Sequence, residues 1–294
     1  HDNFENAERY DFLYEEEQIP EPVSLRQRGN HGPQGRPAYG TSVGKRNQRR
    51  NMGDHMFVDD GLSEEQYQGE AYQRYMKKFL RCVRGVDDNI GRLIDHLEST
   101  GELDNTVIIY TADQGFMLGE HDYIDKRWMY EESLKMPLIV KWPGVTEPGS
   151  VDKHMVQNLD YAQTFLEMTG TPVPGDMQGR SLVPLLKGEE PEWRDSIYYH
   201  YYAYPSVHMV AKHNGIRTDR YKLMHFYQFD QWEFYDLQTD PDELTNQYDN
   251  PDYAHVVSEM KTRLRDLQSG YGDDAVTAAM DSAWQKKQLG SRKE

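Results

Sequence analysis

Thr106-Val107-Ile108-Ile109-Tyr110-Thr111 runs into Ala112-Asp113-Gln114-Gly115, and Lys126-Arg127 follows eleven residues after that glycine. A continuous apolar, β-branched run predicts a strand buried on both faces, as in a parallel sheet. A second run, Pro137-Leu138-Ile139-Val140-Lys141-Trp142, stops at Pro143-Gly144. Ligands of open α/β sheets bind beyond the carboxyl ends of the strands, where Asp113 and Gln114 fall. A carboxylate beside an amide carbonyl supplies two hard oxygens, suited to Ca²⁺ or Mg²⁺ better than to zinc, although Asp-Gln-Gly is equally ordinary turn chemistry. The loop after it, with Glu120-His121 and Asp125-Lys126-Arg127, holds two cations and a histidine near that strand end, a composition able to neutralise an oxyanion.

Upstream, Ser63 with Gln66 three residues on forms a capping box. Tyr67, Ala71, Tyr75, Phe79, Val83, Val86, Ile90, Leu93 and Leu97 then keep helical spacing to about Thr100, with a kink expected near Gly85 and a stop at Gly101. Downstream, Asp160 is expected to cap a helix that ends near Met168. Helices alternating with apolar strands predict an α/β layered core. Near Pro191 the texture changes to tyrosine-rich alternation over 197–204, 221–226 and 233–237, followed by a helical stretch at 254–267. The predicted organisation is a core over residues 1–190 and a small antiparallel sheet with a covering helix over 191–294.

From His1 to about Gly61 prolines, glycines and polar residues predict long loops. Arg26, Arg28, Arg36, Lys45, Arg46, Arg49 and Arg50 make this stretch locally basic, which suits either a solvated loop or a rim that attracts an anionic substrate. The whole chain of 294 residues carries a formal charge of −17, which argues against affinity for nucleic acid or anionic membranes. No run reaches the roughly 18 residues that span a bilayer, and no signal-like segment opens the chain. It begins with His rather than Met, so its beginning need not be the gene's. The single cysteine, Cys82, rules out an internal disulfide and a cysteine-based zinc site, and its place on a helical apolar stripe predicts a packing role.

The string from Asn105 to Gly144 resembles the formylglycine-dependent sulfatases, members of the alkaline-phosphatase-like superfamily. In that family a strand ends in Asp followed by Asn, His or Gln, both binding Ca²⁺; Gly-Glu-His follows, and a lysine thirteen residues after the Asp contacts sulfate. Asp113, Gln114, Gly119-Glu120-His121 and Lys126 occupy those places. The stretch Val83–Leu93 is similar to the family's helix before that strand. Gln178-Gly179-Arg180-Ser181-Leu182 looks like its connection into the C-terminal subdomain. Gly215-Ile216-Arg217-Thr218, Arg220-Tyr221-Lys222-Leu223 and Glu233-Phe234-Tyr235-Asp236-Leu237 look like that subdomain's strands. The resemblance therefore implies the C-terminal portion of an alkaline-phosphatase-like core, plus its subdomain.

The family's nucleophile comes from Cys or Ser in a Cys/Ser-x-Pro/Ala-x-Arg motif, and no such motif occurs here. The resemblance implies that an N-terminal segment outside this sequence carries the nucleophile and two further acidic metal ligands, and that this polypeptide alone is inactive. It further implies a hydrolase of sulfuric esters in which one hydroxyl of the formylglycine hydrate attacks sulfur. Lys126 and His1 would act on sulfate oxygens, Asp113 and Gln114 would ligate Ca²⁺, and His121, His213 and Arg217 would be substrate contacts. Ile124-Asp125-Lys126-Arg127 and His213 are similar to the N-acetylglucosamine-6-sulfatase branch, so the expected partner is a sulfated carbohydrate of glycosaminoglycan type. A periplasmic or secreted location for the full-length protein is a family expectation. Two alternatives stay open: a phosphate or phosphonate ester hydrolase of the same superfamily, and a non-catalytic glycan-binding protein.

Overall fold

The structure, a computed structural model, describes residues 4–26, 42–44, 58–59, 61–204, 206, 208 and 210–274. By contacts they divide into two compact units, one reaching to Arg194 and the other beginning at Asp195. Within the first, helix α1 (Glu64–Ser99) starts at the expected capping box: Ser63 Oγ accepts from the Gln66 N–H at 3.3 Å, and Gln66 Oε1 accepts from the Ser63 N–H at 3.1 Å. It continues through Gly85 without a break. Gly85 instead makes room for Tyr10, whose ring lies 3.3 Å from where a Cβ would stand and whose hydroxyl donates to Asp88 at 2.7 Å.

The first half of α1 builds a core. Tyr67, Ala71, Tyr72 and Tyr75 bury against Phe4, Leu25, Val43, Val58 and Ile124, each large side chain contributing about 1.5–3 kcal/mol by burial. The second half carries the same apolar spacing into solvent, with Val83, Val86 and Leu93 exposed.

Strand β1 (Ile108–Thr111) pairs with β4 (Leu138–Lys141), Ile109 opposite Val140. The pairing is antiparallel, and both strands are only half-buried, with Ile139 exposed. This corrects the expectation of buried parallel strands at these positions. A parallel return needs a crossover of a dozen or more residues, usually a helix. Here the intervening chain forms the short ribbon β2 (Met117–Leu118) with β3 (Ile124–Asp125) and a single helical turn, α2 (Glu131–Leu134).

Helix α3 (Tyr161–Met168) follows, then α4 (Val183–Leu186). Contrary to the expectation from sequence, Asp160 does not cap α3 with its side chain. Its buried carboxylate is taken by the Arg194 guanidinium, with two bonds of 2.6 Å, and by the Arg180 backbone N–H at 2.8 Å. A fixed bidentate donor outcompetes a local cap because it satisfies both carboxylate oxygens at once.

The second unit is a meander of β5 (Ser196–Tyr201), β6 (His213–Thr218), β7 (Tyr221–Phe226) and β8 (Gln231–Asp236), antiparallel throughout and ordered as in the chain. Ile216, Leu223 and Phe234 are cross-strand neighbours in one row. Helix α5 (Ala254–Gly270) lays Val257, Met260 and Leu264 on that row, closing a small core. Beneath the sheet surface Lys222 and Glu243 form a fully buried ion pair at 2.7 Å. Among the described residues no helix is long and apolar enough to cross a membrane.

Candidate active site

At the end of β1, Asp113 is exposed and Gln114 half-exposed. Asn158 fixes the backbone there by donating to the Asp113 carbonyl at 2.8 Å. The turn that follows is possible only for glycine. The Gly115 N–H donates to Ser133 O at 3.0 Å, and a Cβ on Gly115 would stand 2.1 Å from Glu132 O and 2.4 Å from Lys135 O. The chain therefore presses flat onto α2, and Asp113 and Gln114 stay in solvent at the strand end.

Those two side chains fit a hard divalent cation as two oxygen ligands. They do not fit it as a complete shell, since Ca²⁺ takes 6–8 oxygens and the described residues contain no group of three or more His, Cys, Asp or Glu placed to hold a metal. A complete shell would need further oxygen ligands beyond these two.

The loop from Gly119 to Arg127 is built under strain. Gly119 has φ 113, and four other residues have positive φ: His121 (55), Asp122 (60), Asp125 (75) and Arg127 (90). Each left-handed non-glycine residue costs on the order of 1 kcal/mol or more, and such clusters mark functional loops. Surrounding contacts hold the loop in place. Gly119 lies against Tyr72, whose ring would be 2.8 Å from an added Cβ. Tyr123 stacks on Trp128 with centroids 4.8 Å apart, and His121 packs on Tyr130 at 4.4 Å. The Arg127 N–H donates to Ser133 Oγ at 3.0 Å. Glu120 Oε2 accepts from the Leu118 N–H at 2.6 Å, while burial pushes its carboxyl above the usual range.

Lys126 is buried to 6 % exposure, its Nζ 3.1 Å from Asp125 Oδ1 and 5.3 Å from the Phe116 ring centroid. Asp125 also pairs with Arg127. Asp125 thus faces both cations, and Lys126 sits in a dry loop, where a charge acts on an anion more strongly than in water.

Of the residues expected in the site, Asp113, Gln114, His121 and Lys126 lie in the first unit, within one continuous stretch. His1 lies outside the described residues. His213 and Arg217 lie on β6 in the second unit. The His213 ring is fully enclosed between Tyr199, Tyr201 and Phe226, with Nδ1 2.8 Å from Ala211 O. Burial pushes its pKa down to about 4, so the ring is neutral at pH 7. His121 is equally enclosed. Arg217 is half-buried opposite Ile197 and Lys222. Arg26, counted with the basic stretch, is committed to Glu21 at 2.7 Å and to the Glu65 carbonyl at 2.9 Å; the other basic residues of that stretch lie outside the described ones.

One residue escaped the sequence analysis. Asp122 follows the Gly-Glu-His triplet and accepts hydrogen bonds from Ser42, Gly44 and Gln68. Its partners are 54 to 80 positions away in sequence, so no local spacing pointed to it.

Comparison with known proteins agrees with this geometry. A sulfatase family model matches residues 7–171, and a model described as N-sulphoglucosamine sulphohydrolase, C-terminal, matches residues 119–270. An N-acetylglucosamine-6-O-sulfatase of Bacteroides thetaiotaomicron is 48% identical over 207 residues, covering 69% of this chain and 37% of the relative. The human N-acetylglucosamine-6-sulfatase is 31% identical over 228 residues, covering 67% of this chain and 41% of the relative. A solved structure described as a complex with its substrate D-glucosamine-2-N,6-O-disulfate superposes with a TM-score of 0.82 at 35% identity, covering 93% of this chain and 64% of that one. A phosphonate monoester hydrolase from Silicibacter pomeroyi shares the fold with a TM-score of 0.73 at 24% identity. The chain thus spans well under two thirds of the length of the curated relatives it matches, and the fold is the mixed α/β, alkaline-phosphatase-like one. On the family-model match, which takes in more than half of its residues, the chain belongs to the sulfatase family.

Proposed function

We propose that this chain forms the sulfate-gripping part of a sulfatase acting on a 6-O-sulfated glucosamine within a glycosaminoglycan-like carbohydrate. The observation that carries this is Lys126: a buried cation in a strained loop, shortly downstream of Asp113 and Gln114 at the end of β1. The similarity to sulfatases of 6-sulfated glucosamine supports the substrate class.

Asp113 and Gln114 are assigned to Ca²⁺, with Mg²⁺ a poorer fit because it demands tighter octahedral geometry. When bound, the cation would withdraw charge from non-bridging sulfate oxygens. Lys126 does the same work from the protein side. Its ammonium is pre-placed and largely desolvated, so it needs no reorganisation as negative charge grows on sulfate oxygens. Phe116 and the buried ribbon keep bulk water away from it. The nucleophile is assigned to polypeptide outside this sequence: Cys82 sits half-buried in α1 with its thiol pushed up by burial, the opposite of an activated thiolate. His1 is assigned to a sulfate oxygen. Arg217 is assigned to the sugar, and His121 and His213, each enclosed within its own unit, are assigned to substrate contacts only through the resemblance. A periplasmic or secreted setting suits such a substrate.

The test uses the protein expressed with the coding sequence upstream of His1. It should release sulfate from 6-O-sulfated glucosamine, Lys126→Ala should lower kcat by about 10²–10³-fold, and the chain by itself should show no turnover. Preference for a phosphate monoester, or turnover by the isolated chain, would overturn the assignment.

A further inference from the structure

Asp122 lies four residues before Lys126, its carboxylate buried, at φ 60 where glycine is the favoured residue. Two separate segments of the first unit, 42–44 and the start of α1, supply three donors to that carboxylate. Ser42 Oγ donates to Oδ2 at 2.6 Å, the Gly44 N–H to Oδ1 at 3.1 Å, and Gln68 Nε2, from the first turns of α1, to Oδ1 at 2.8 Å. The backbone is pinned as well: the Val43 N–H donates to Asp122 O at 3.1 Å, the Asp122 N–H to Gly119 O at 3.0 Å, and Tyr123 bridges Ser42 in antiparallel fashion. Between this anchor and Lys126 there remain only Tyr123 and the two residues of β3, themselves held in the ribbon with β2.

From this geometry we infer that Asp122 is the positioning residue for Lys126, converting α1 and the 42–44 segment into a fixed mount for the sulfate-binding cation. The inference rests on the role given to Lys126 above. A carboxylate at a left-handed position carries a local cost that glycine would not, and three bonds from distant segments offset it, which is the pattern of a held loop rather than of a turn residue.

Glycine at this position separates the two possible reasons for Asp122. If only the backbone conformation matters, Asp122→Gly should leave the enzyme unchanged or steadier. If the carboxylate is the mount, Asp122→Gly in the full-length enzyme should lower kcat about 100-fold, as a displacement near 1 Å can, with KM within about threefold of wild type and the melting temperature retained. Asp122→Asn, which keeps an acceptor oxygen for Gly44 and Gln68, should recover most of kcat; wild-type kcat in Asp122→Gly overturns the inference. Should Asp122→Gly fail to fold, Ser42→Ala with Gln68→Ala removes two of the three donors and should lower kcat at unchanged KM, while no loss would count against the mount. Wild-type turnover reports separately on the sulfatase assignment. Independently of activity, amide exchange across 119–127 in this chain should quicken at least tenfold in Asp122→Gly while α1 stays protected; unchanged exchange sinks the proposal.

Discussion

The sheet β5–β8 and the ribbon β1–β4 are both antiparallel and both written in apolar residues, yet they end in opposite environments. Ile216, Leu223 and Phe234 have no exposure, because α5 brings Val257, Met260 and Leu264 onto them from within the same unit. On the ribbon Tyr110 is 39% and Ile139 64% exposed, and along the second half of α1 Val86 is 48% exposed. A cleft lined by Phe79, Cys82, Val83, Val86 and Tyr110 joins the helix stripe to the ribbon. An amphipathic stripe left in water normally marks a surface that something else covers. The sheet therefore carries its own cover within its unit, whereas among the described residues nothing buries this face of the ribbon and the second half of α1.

The contrast can be broken by mutation. Phe234→Ala should cost about 3–5 kcal/mol in chemical denaturation, since its row is closed on both sides; a cost below about 1 kcal/mol would mean that α5 does not seal the sheet. Next comes acid. His213 is neutral in the folded state with its pKa lowered from 6.5 to about 4, so below pH 6.5 the unfolded chain binds a proton that the folded one refuses. Stability is full above pH 6.5 and falls as pH drops towards 4, by about 2 kcal/mol between pH 7 and pH 5. His213→Phe should flatten that part of the profile, and an unaltered slope would remove His213 as its origin. The smallest effect belongs to α1: Val86→Ala should change the stability of this chain by less than about 0.5 kcal/mol. A loss as large as that of Phe234→Ala would show that the stripe is already covered.

Much of this was legible in the sequence, and the divide follows the range of the interactions. The α1 capping box, the run Ile108–Thr111 and the helix beginning at Ala254 depend on neighbours a few residues apart, and all three stand where the periodicity puts them. The direction of β4 against β1 was not legible, because a continuous apolar run is compatible with either sense of pairing. Asp160 misled for a related reason. Its spacing from α3 suits a cap, but Arg194, 34 positions on, holds the carboxylate instead. In the candidate site, Asp113 and Lys126 were legible through motif spacing, and Asp122 was not, since its meaning lies in Ser42 and Gln68. The enclosure of His121 and His213 likewise depends on aromatic rings contributed by other strands and turns.

Gly115 carries a lesson about how such stretches should be read. The carbonyls of Glu132 and Lys135 come so close that only hydrogen fits at its α-carbon, whatever the two residues before it happen to ligate. The third letter of Asp-Gln-Gly is thus dictated by carpentry, whatever the role proposed for the first two. A homologue that had given up its metal would still be obliged to keep that glycine, so its presence alone says nothing about activity, whereas a bulkier residue there would signal that the floor beneath the strand end has been rebuilt.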